Sequence, residues 1–365
     1  MTLKQLGYST ILNVVFLPLF ILMLLFLACQ NEKAVDGDEP KSVVLKEAFQ
    51  TSWDEGDNVD SPAVWHGPDG QHWLLATAKE GDTIIAFDAT DGTLIKRFGG
   101  SGSGAGQFER PNGIAVIDDL VLVVERDNQR IQVFRLPEFE SLGSLSHEDL
   151  RLPYGLTVFS TGQDSYELYV TDNYNPALEG YPPQGELDER VHHFRFSTAG
   201  DSLQSQHVKL FGEIIGEGVL HKVESIYADP DNNRLLIADE AFNQRSVKVY
   251  DLEGNFTGQM VPSNYFTSEP EGIALYSCPD GSGYWIMTDQ HESDENKFQV
   301  FECQSLKHLG TFKGEITRNT DGIWLTQQSF GDFEQGAFYP VHDDGSVTAI
   351  SWQQVADSLN LSYCK

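Results

Sequence analysis

The sequence predicts an all-β fold, a six-bladed β-propeller, and three observations carry that prediction. From Ser42 onward, short runs rich in Val, Ile, Tyr and Phe alternate with Asp-Gly and other Gly-containing turns, and helical periodicity is almost absent. A motif of one polar residue, one small residue and an apolar run recurs six times at the spacing of a propeller blade. The composition, 40% hydrophobic and 11% aromatic with 33 glycines, is that of a folded chain with many tight turns.

In chain order, residues 1–29 stand apart from the rest. Lys4 is their only clear charge, Ile11 to Ala28 is almost wholly apolar, and Cys29 follows directly, which is the form of a secretory signal. Leu25-Phe26-Leu27-Ala28-Cys29 resembles a bacterial lipobox, with Phe26 where that pattern has Leu. The same run just reaches the length of an uncleaved membrane anchor. Both readings predict an exported protein, periplasmic or held at the outer membrane or cell surface, touching the membrane only through its N-terminus. Residues 30–41 read as a polar linker, and residues 42–365 as one propeller domain.

The six repeats open at Asp60-Ser-Pro-Ala-Val, Asn112-Gly-Ile-Ala-Val, Tyr154-Gly-Leu-Thr-Val, Glu224-Ser-Ile-Tyr-Ala, Glu271-Gly-Ile-Ala-Leu and Asp321-Gly-Ile-Trp-Leu. Each start is followed by further strand-like runs, such as Trp73-Leu-Leu-Ala-Thr and Thr83-Ile-Ile-Ala-Phe in the first repeat, and four strands per repeat make a blade. The long third interval holds a Pro/Gly-rich insertion, Tyr174 to Glu189, read as a loop. Ser42 to Phe49 is expected to supply the outer strand that closes the last blade, and Trp352 to Leu359 a short terminal helix. Cys278, Cys303 and Cys364 remain beyond the signal, enough for one intramolecular disulfide whose partners the sequence leaves open.

With 55 acidic and 24 basic residues the chain carries a formal charge of −31, which excludes nucleic acid as a partner and requires a cation between the protein and any anionic ligand. The residue opening each inner strand sits at one mouth of the central channel, and the antiparallel second strand returns to that mouth. Two circles of side chains therefore meet there. The first is Asp60, Asn112, Tyr154, Glu224, Glu271 and Asp321. The second comes from Lys79-Glu80, Glu125-Arg126, Asp172-Asn173, Asp239-Glu240, Asp289-Gln290 and His342-Asp343. Carboxylates crowded in this way repel one another unless a hard cation joins them, and calcium accepts six to eight oxygens in loose geometry. Other motifs are weaker. Asp229-Pro-Asp231-Asn-Asn233 lacks the Gly and distant Glu of an EF-hand and reads as a hairpin turn, the Gly99–Gly106 run lacks a P-loop ending, and His192-His193 lie in a strand without partner spacing.

Phe98-Gly-Gly through Gly106-Gln-Phe, with Pro111-Asn-Gly-Ile-Ala-Val, resembles an NHL repeat, a propeller-blade family. Over nearly the whole mature chain the residues also resemble the β-propeller phytases. Asp60-Ser-Pro-Ala-Val-Trp is similar to their opening Asp-Asp-Pro-Ala-Ile-Trp, and Val223-Glu-Ser-Ile-Tyr-Ala-Asp with Leu236-Ile-Ala-Asp-Glu240 to their paired glutamate segment. Glu269-Pro-Glu271-Gly-Ile-Ala-Leu, Asn319-Thr-Asp321-Gly-Ile and Ile350-Ser-Trp-Gln-Gln-Val-Ala match further segments. The resemblance implies calcium ligands at Asp60, Glu224, Glu240, Glu271 and Asp321, with Glu240 and Asp321 at the reacting centre, and phosphate binding by Lys79 and Arg126. It implies a calcium-dependent phosphomonoesterase acting as a monomer on phytate or a related phosphate ester. Ser61, Glu80 and Asn319 depart from the family pattern, and Asp172-Asn173 stands where the family tends to place a phosphate-binding lysine. Two other readings stay open: a calcium lactonase or esterase using Asn112 and Asn173, and a non-catalytic NHL-like binding propeller with structural calcium.

Overall fold

Each of the six recurrent openings becomes the innermost strand of a four-stranded antiparallel blade. The computed structural model describes residues 41–175, 181–199, 202–293 and 295–364. The predicted signal, lipobox and nearly all of the linker fall on residues 1–40, outside the described residues. Blade 1 runs through Val59–His66, His72–Ala78, Thr83–Asp88 and Leu94–Gly99, and blade 2 through Pro111–Ile117, Leu120–Glu125, Arg130–Arg135 and Glu140–Leu145. Blade 3 is Pro153–Gly162, Ser165–Asp172, Val191–Ser197 and Gln204–Phe211; blade 4 is Val223–Asp229, Arg234–Asp239, Ser246–Tyr250 and Phe256–Val261. Blade 5 comprises Glu269–Ser277, Gly283–Gln290, Lys297–Glu302 and His308–Gly314, and blade 6 Ile323–Thr326, Ala337–His342 and Ser346–Ser351. The insertion in blade 3 joins its second and third strands and includes a 3-10 helix, Gln184–Glu189.

The ring closes differently from the expectation. Lys41–Leu45 pairs in parallel with His308–Gly314 and becomes a fifth strand of blade 5. Only Phe49–Gln50 pairs with Ser346–Ser351 to complete blade 6. The expected closing strand is thus divided between two blades, and the first described residues staple the seam next to the last ones.

Side chains alternate between the two faces of each strand, so a blade sends one set to each neighbour. In the second strand of blade 1, Leu74 and Ala76 pack toward blade 6 and Leu75 toward blade 2. Six buried apolar clusters result, one between each pair of adjacent blades. The C-terminal helix, Trp352–Leu359, forms where the sequence places it and buries Trp352, Val355, Ala356 and Leu359 in the cluster between blades 5 and 6. Cys278 is bonded to Cys364, which ties the chain end to blade 5. Cys303 is free and buried, beside the Arg234 guanidinium at 3.4 Å.

The small residue in the second position of the repeat has a steric cause. A Cβ on Gly113 would lie 2.6 Å from the carbonyl oxygen of Tyr154, one on Gly322 2.7 Å from that of Asp60, and one on Gly272 2.9 Å from that of Asp321. On Gly155 it would run into the carbonyl of Glu224. Adjacent inner strands therefore touch backbone to backbone at the mouth, joined by Gly322 N–H donating to Asp60 O (2.8 Å) and Gly272 N–H to Asp321 O (2.9 Å).

Candidate metal centre at the channel mouth

In blades 1 to 5 the ladder between the first two strands slips across the ring residue: between Val59 and Pro62, Pro111 and Ile114, Pro153 and Leu156, Val223 and Ile226, and Pro270 and Ile273. A bulge of this kind re-aims one side chain out of the pleat. Asp60, Asn112, Tyr154, Glu224 and Glu271 all sit at such bulges, so the first circle is a consequence of a repeated backbone irregularity.

The second circle divides in two. In blades 2 to 5 a fully buried carboxylate at the end of the second strand, its last residue in blades 2 to 4 and the last but one in blade 5, fastens the chain entering the same blade. Glu125 accepts from Glu109 N–H (3.3 Å) and Arg130 Nε (2.6 Å), and Asp172 from the N–H groups of Arg151 (2.7 Å) and Leu152 (3.0 Å). Asp239 accepts from Lys222 N–H (3.1 Å) and Lys248 Nζ (2.7 Å), and Asp289 from the N–H groups of Thr267 (2.9 Å) and Ser268 (2.8 Å). These four are structural. The following residue turns to the mouth in blades 3 to 5: Asn173 Nδ2 donates to Glu224 Oε1 (2.9 Å), Gln290 donates to Asp321 Oδ1, and Glu240 is fully buried among the ring glutamates. In blade 6 Asp343 instead pairs outward with Arg318 at 2.8 Å. Asp344 takes its place, close enough to Lys79 and Asp60 to feel both charges.

The residues expected to carry the chemistry fall into two groups. Lys79 Nζ lies 2.9 Å from Asp60 Oδ1 and 3.1 Å from Asp321 Oδ2, bridging blades 1 and 6. The Tyr154 hydroxyl donates to the same Asp60 oxygen (3.2 Å), and Ser61 Oγ donates to Asp60 Oδ2 (2.8 Å). The second group is Glu224, Glu240 and Glu271, each offering one oxygen within 4.8 Å of the others. Lys222, which sequence reasoning missed because it lies one residue ahead of the inner strand, stands 2.9 Å from Glu240, 3.4 Å from Glu269 and 3.8 Å from Glu224. Arg126 does not join either group: its Nε pairs with Asp127 Oδ1 at 2.7 Å on the rim.

Electrostatics follow from burial and crowding. Burial, opposed by Lys222 and reinforced by Asp60, raises Glu224 above the ordinary carboxylate range. Burial and Glu224 push Glu240 well above it, and burial with Glu240, Glu224 and Asp321 does the same to Glu271. Asp321 is pushed up to about 7 by burial and Asp60, against the pull of Lys79. Although burial works against its charge, Lys79 is held well above its usual value by Asp60 and Asp321, and Lys222 likewise by Glu240 and Glu224.

The donor set fits a hard divalent cation. Calcium–oxygen bonds of about 2.4 Å allow oxygens up to about 4.8 Å apart across one ion, the spread of the three glutamates. Among the described residues, Glu240 Oε1 meets no hydrogen-bond donor and neither side-chain polar atom of fully buried Asn112 has a partner. Such orphaned buried groups are expensive without a ligand. Asp60 and Asp321, expected among the ligands, hold Lys79 instead of standing in this trio.

The model of the NHL repeat matches residues 108–134, the first three strands of blade 2 and the turn before them. A 3-phytase of Bacillus subtilis (strain 168) is 26% identical over 162 residues, covering 38% of this chain and 40% of that protein's length. Among solved structures, the WD40 domain of Neurospora crassa Pan2 aligns with a TM-score of 0.44 at 7% identity, over 85% of this chain and 76% of that one. Kuenenia stuttgartiensis hydrazine synthase aligns with a TM-score of 0.47 at 14% identity, over 90% and 83%. By its six blades and its matched repeat, the chain is a β-propeller with an NHL-like repeat in blade 2.

Proposed function

We propose that the protein is a calcium-dependent phosphomonoesterase, phytase-like, that works at this mouth. The observation that carries the reading is the convergence of Glu224, Glu240 and Glu271 around Lys222, with the Lys79–Asp60–Asp321 group near enough for the charges of Asp60 and Lys79 to act on Glu224. The similarity to a 3-phytase over 162 residues supports it. Glu224, Glu240 and Glu271 would hold calcium, with Asp60 and Asp321 completing the set when Lys79 turns to a substrate phosphate. Calcium would supply charge neutralisation and electrophilic activation of the phosphate. Lys79 binds a phosphate oxygen and Lys222 a second. Water provides the oxygen of the new P–O bond while the ester P–O bond breaks. Its proton passes to Glu240 or Asp321 and leaves with the released alcohol. The substrate is a small phosphoester reached from outside the cytoplasm, with the protein exported and acting as a monomer.

Arg126 favours a second reading. Its pairing with Asp127 removes one of the two expected phosphate cations, as a binding propeller with structural calcium would. The two separate by phosphate release from phytate, measured with calcium, with excess chelator, and in Lys79→Met and Glu240→Ala. Release that needs calcium and disappears in both variants supports hydrolysis. Calcium-dependent stabilisation without release from phytate or simple phosphomonoesters would overturn it.

A further inference from the structure

A second group of metal-ligand side chains gathers on the outer strands of blade 3, distinct from the trio Glu224, Glu240 and Glu271. His147 comes from the turn after the last strand of blade 2, His192 from the third strand of blade 3 and His207 from its fourth. His192 and Phe194 share a face, and His207 stands opposite Phe194 in the ladder, next to a bulge. One potential ligand nitrogen from each histidine lies within 4.8 Å of the others. We infer that His147, His192 and His207 form a binding site for a borderline transition-metal ion of the zinc class.

Three features carry the inference. His192 Nδ1 and His207 Nε2 are 3.2 Å apart, close to the roughly 3.3 Å between two nitrogens on one tetrahedral zinc. Two of the rings have a carboxylate behind them: Asp172 Oδ2 is 3.4 Å from His192 Nε2, and Asp149 Oδ2 is 3.4 Å from His147 Nδ1. With an ion bound, such a carboxylate can accept a hydrogen bond from the N–H of one ring nitrogen while the other nitrogen's lone pair faces the metal, the usual outer support of a histidine ligand. At His147 this would replace the present donation from Asp149 N–H to Nδ1 (3.3 Å). His192 is fully buried, and its Nε2 faces Asp172 at 3.4 Å without a hydrogen bond of good geometry among the described residues, a contact that ion binding at Nδ1 would tighten. His147 keeps its side chain 28% exposed, which gives an ion a way in and leaves room for water or an outside ligand.

The chemistry separates this site from the mouth. Imidazole nitrogens select zinc, copper and nickel, whereas a carboxylate cluster selects calcium. The two sites should therefore fill independently in a mixture. The packed alternative is an aromatic group in which His147 stacks on His207, with centroids 3.8 Å apart, and no ion binds.

The test is zinc titration by calorimetry on the full chain in non-ionic detergent, with calcium saturating, and cobalt titration followed by visible absorption. One zinc per chain is expected, with cobalt bands in the visible. His207→Ala and His147→Ala should each weaken binding at least tenfold, and Asp149→Asn by about tenfold. Calcium-dependent melting should stay unchanged in all three, which shows that they fold. No binding by the wild-type chain, or binding that survives both histidine variants, would overturn the site.

Discussion

Replacing Glu240 with glutamine should change stability in opposite directions with and without calcium. Glu240 faces Glu224 and Glu271 with oxygens no more than 4.8 Å apart, which at an effective dielectric of about 20 costs about 3.5 kcal/mol for each ionised pair. Lys222 at 2.9 Å returns about 5.7 kcal/mol, so repulsion exceeds attraction by about 1 kcal/mol before desolvation is added. In excess chelator at about pH 8, Glu240→Gln should therefore gain about 1–2 kcal/mol, or about 2–3 °C in melting temperature for a chain of this length. With calcium at a hundredfold excess over its dissociation constant, the wild type gains about 2.7 kcal/mol, about 4 °C, and the variant should gain far less. Differential scanning calorimetry of both proteins in both conditions reads all four values. A variant that melts lower than wild type in chelator, and rises equally with calcium, would refute the assignment of Glu240 to the ion.

The pH dependence of the metal-free protein should carry the same signature. Glu224, Glu240, Glu271 and Asp321 all have folded values above their ordinary ones, so at these four groups the folded chain holds more protons than the unfolded chain from pH 3.8–4.5 up to about 7. His66, His193, His207, His308 and His342, whose folded values burial lowers, act in the opposite sense below about pH 6.5. The histidine contribution is the same with and without calcium, so the gain in melting temperature from calcium over chelator should widen as pH rises through the carboxylate window; a gain indifferent to pH would count against the site. Gly155→Ala drives a methyl into the Glu224 carbonyl and should cost about 1–3 kcal/mol while weakening calcium binding, read by titration calorimetry. Unchanged affinity there would separate ring packing from ion binding. Cys364→Ser opens a loop spanning 86 residues and should cost about 2–4 kcal/mol in urea denaturation, a difference that reductant removes by bringing the wild type down to the variant.

Much of this arrangement was legible in the sequence, for physical reasons that differ by residue. The first circle could be read because each ring residue precedes a position where backbones of adjacent blades touch, which restricts the next residue to Gly or Ser and makes the register visible. Lys79 could be read from its place after a strand end. The division of Asp172-Asn173, Asp239-Glu240 and Asp289-Gln290 into a structural and a mouth-facing member could not, because both members suit a solvated turn. Only the backbone N–H groups gathered around Asp172, Asp239 and Asp289 distinguish them. Lys222 lies outside both circles, and Asp343 and Asp344 are both left-handed in the turn that joins the second and third strands of blade 6, a backbone path the sequence does not announce. His147 and His207 are silent in the sequence, being 60 positions apart and joined only by the curl of blade 3.

The divided closing strand has a consequence for how the protein comes to exist. Lys41–Leu45 lies on blade 5 and Phe49–Gln50 on blade 6, so the earliest-made part of the domain has no partner until the latest-made part is available. Lys79 and Asp321, which meet across that seam, cannot meet before it closes. A ribosome releasing this chain from its N-terminus therefore produces first a segment that must wait, and contacts of such long sequence separation form slowly. The nascent domain emerges without its acidic mouth assembled, and that mouth and the sealed ring arrive together as the final event of folding.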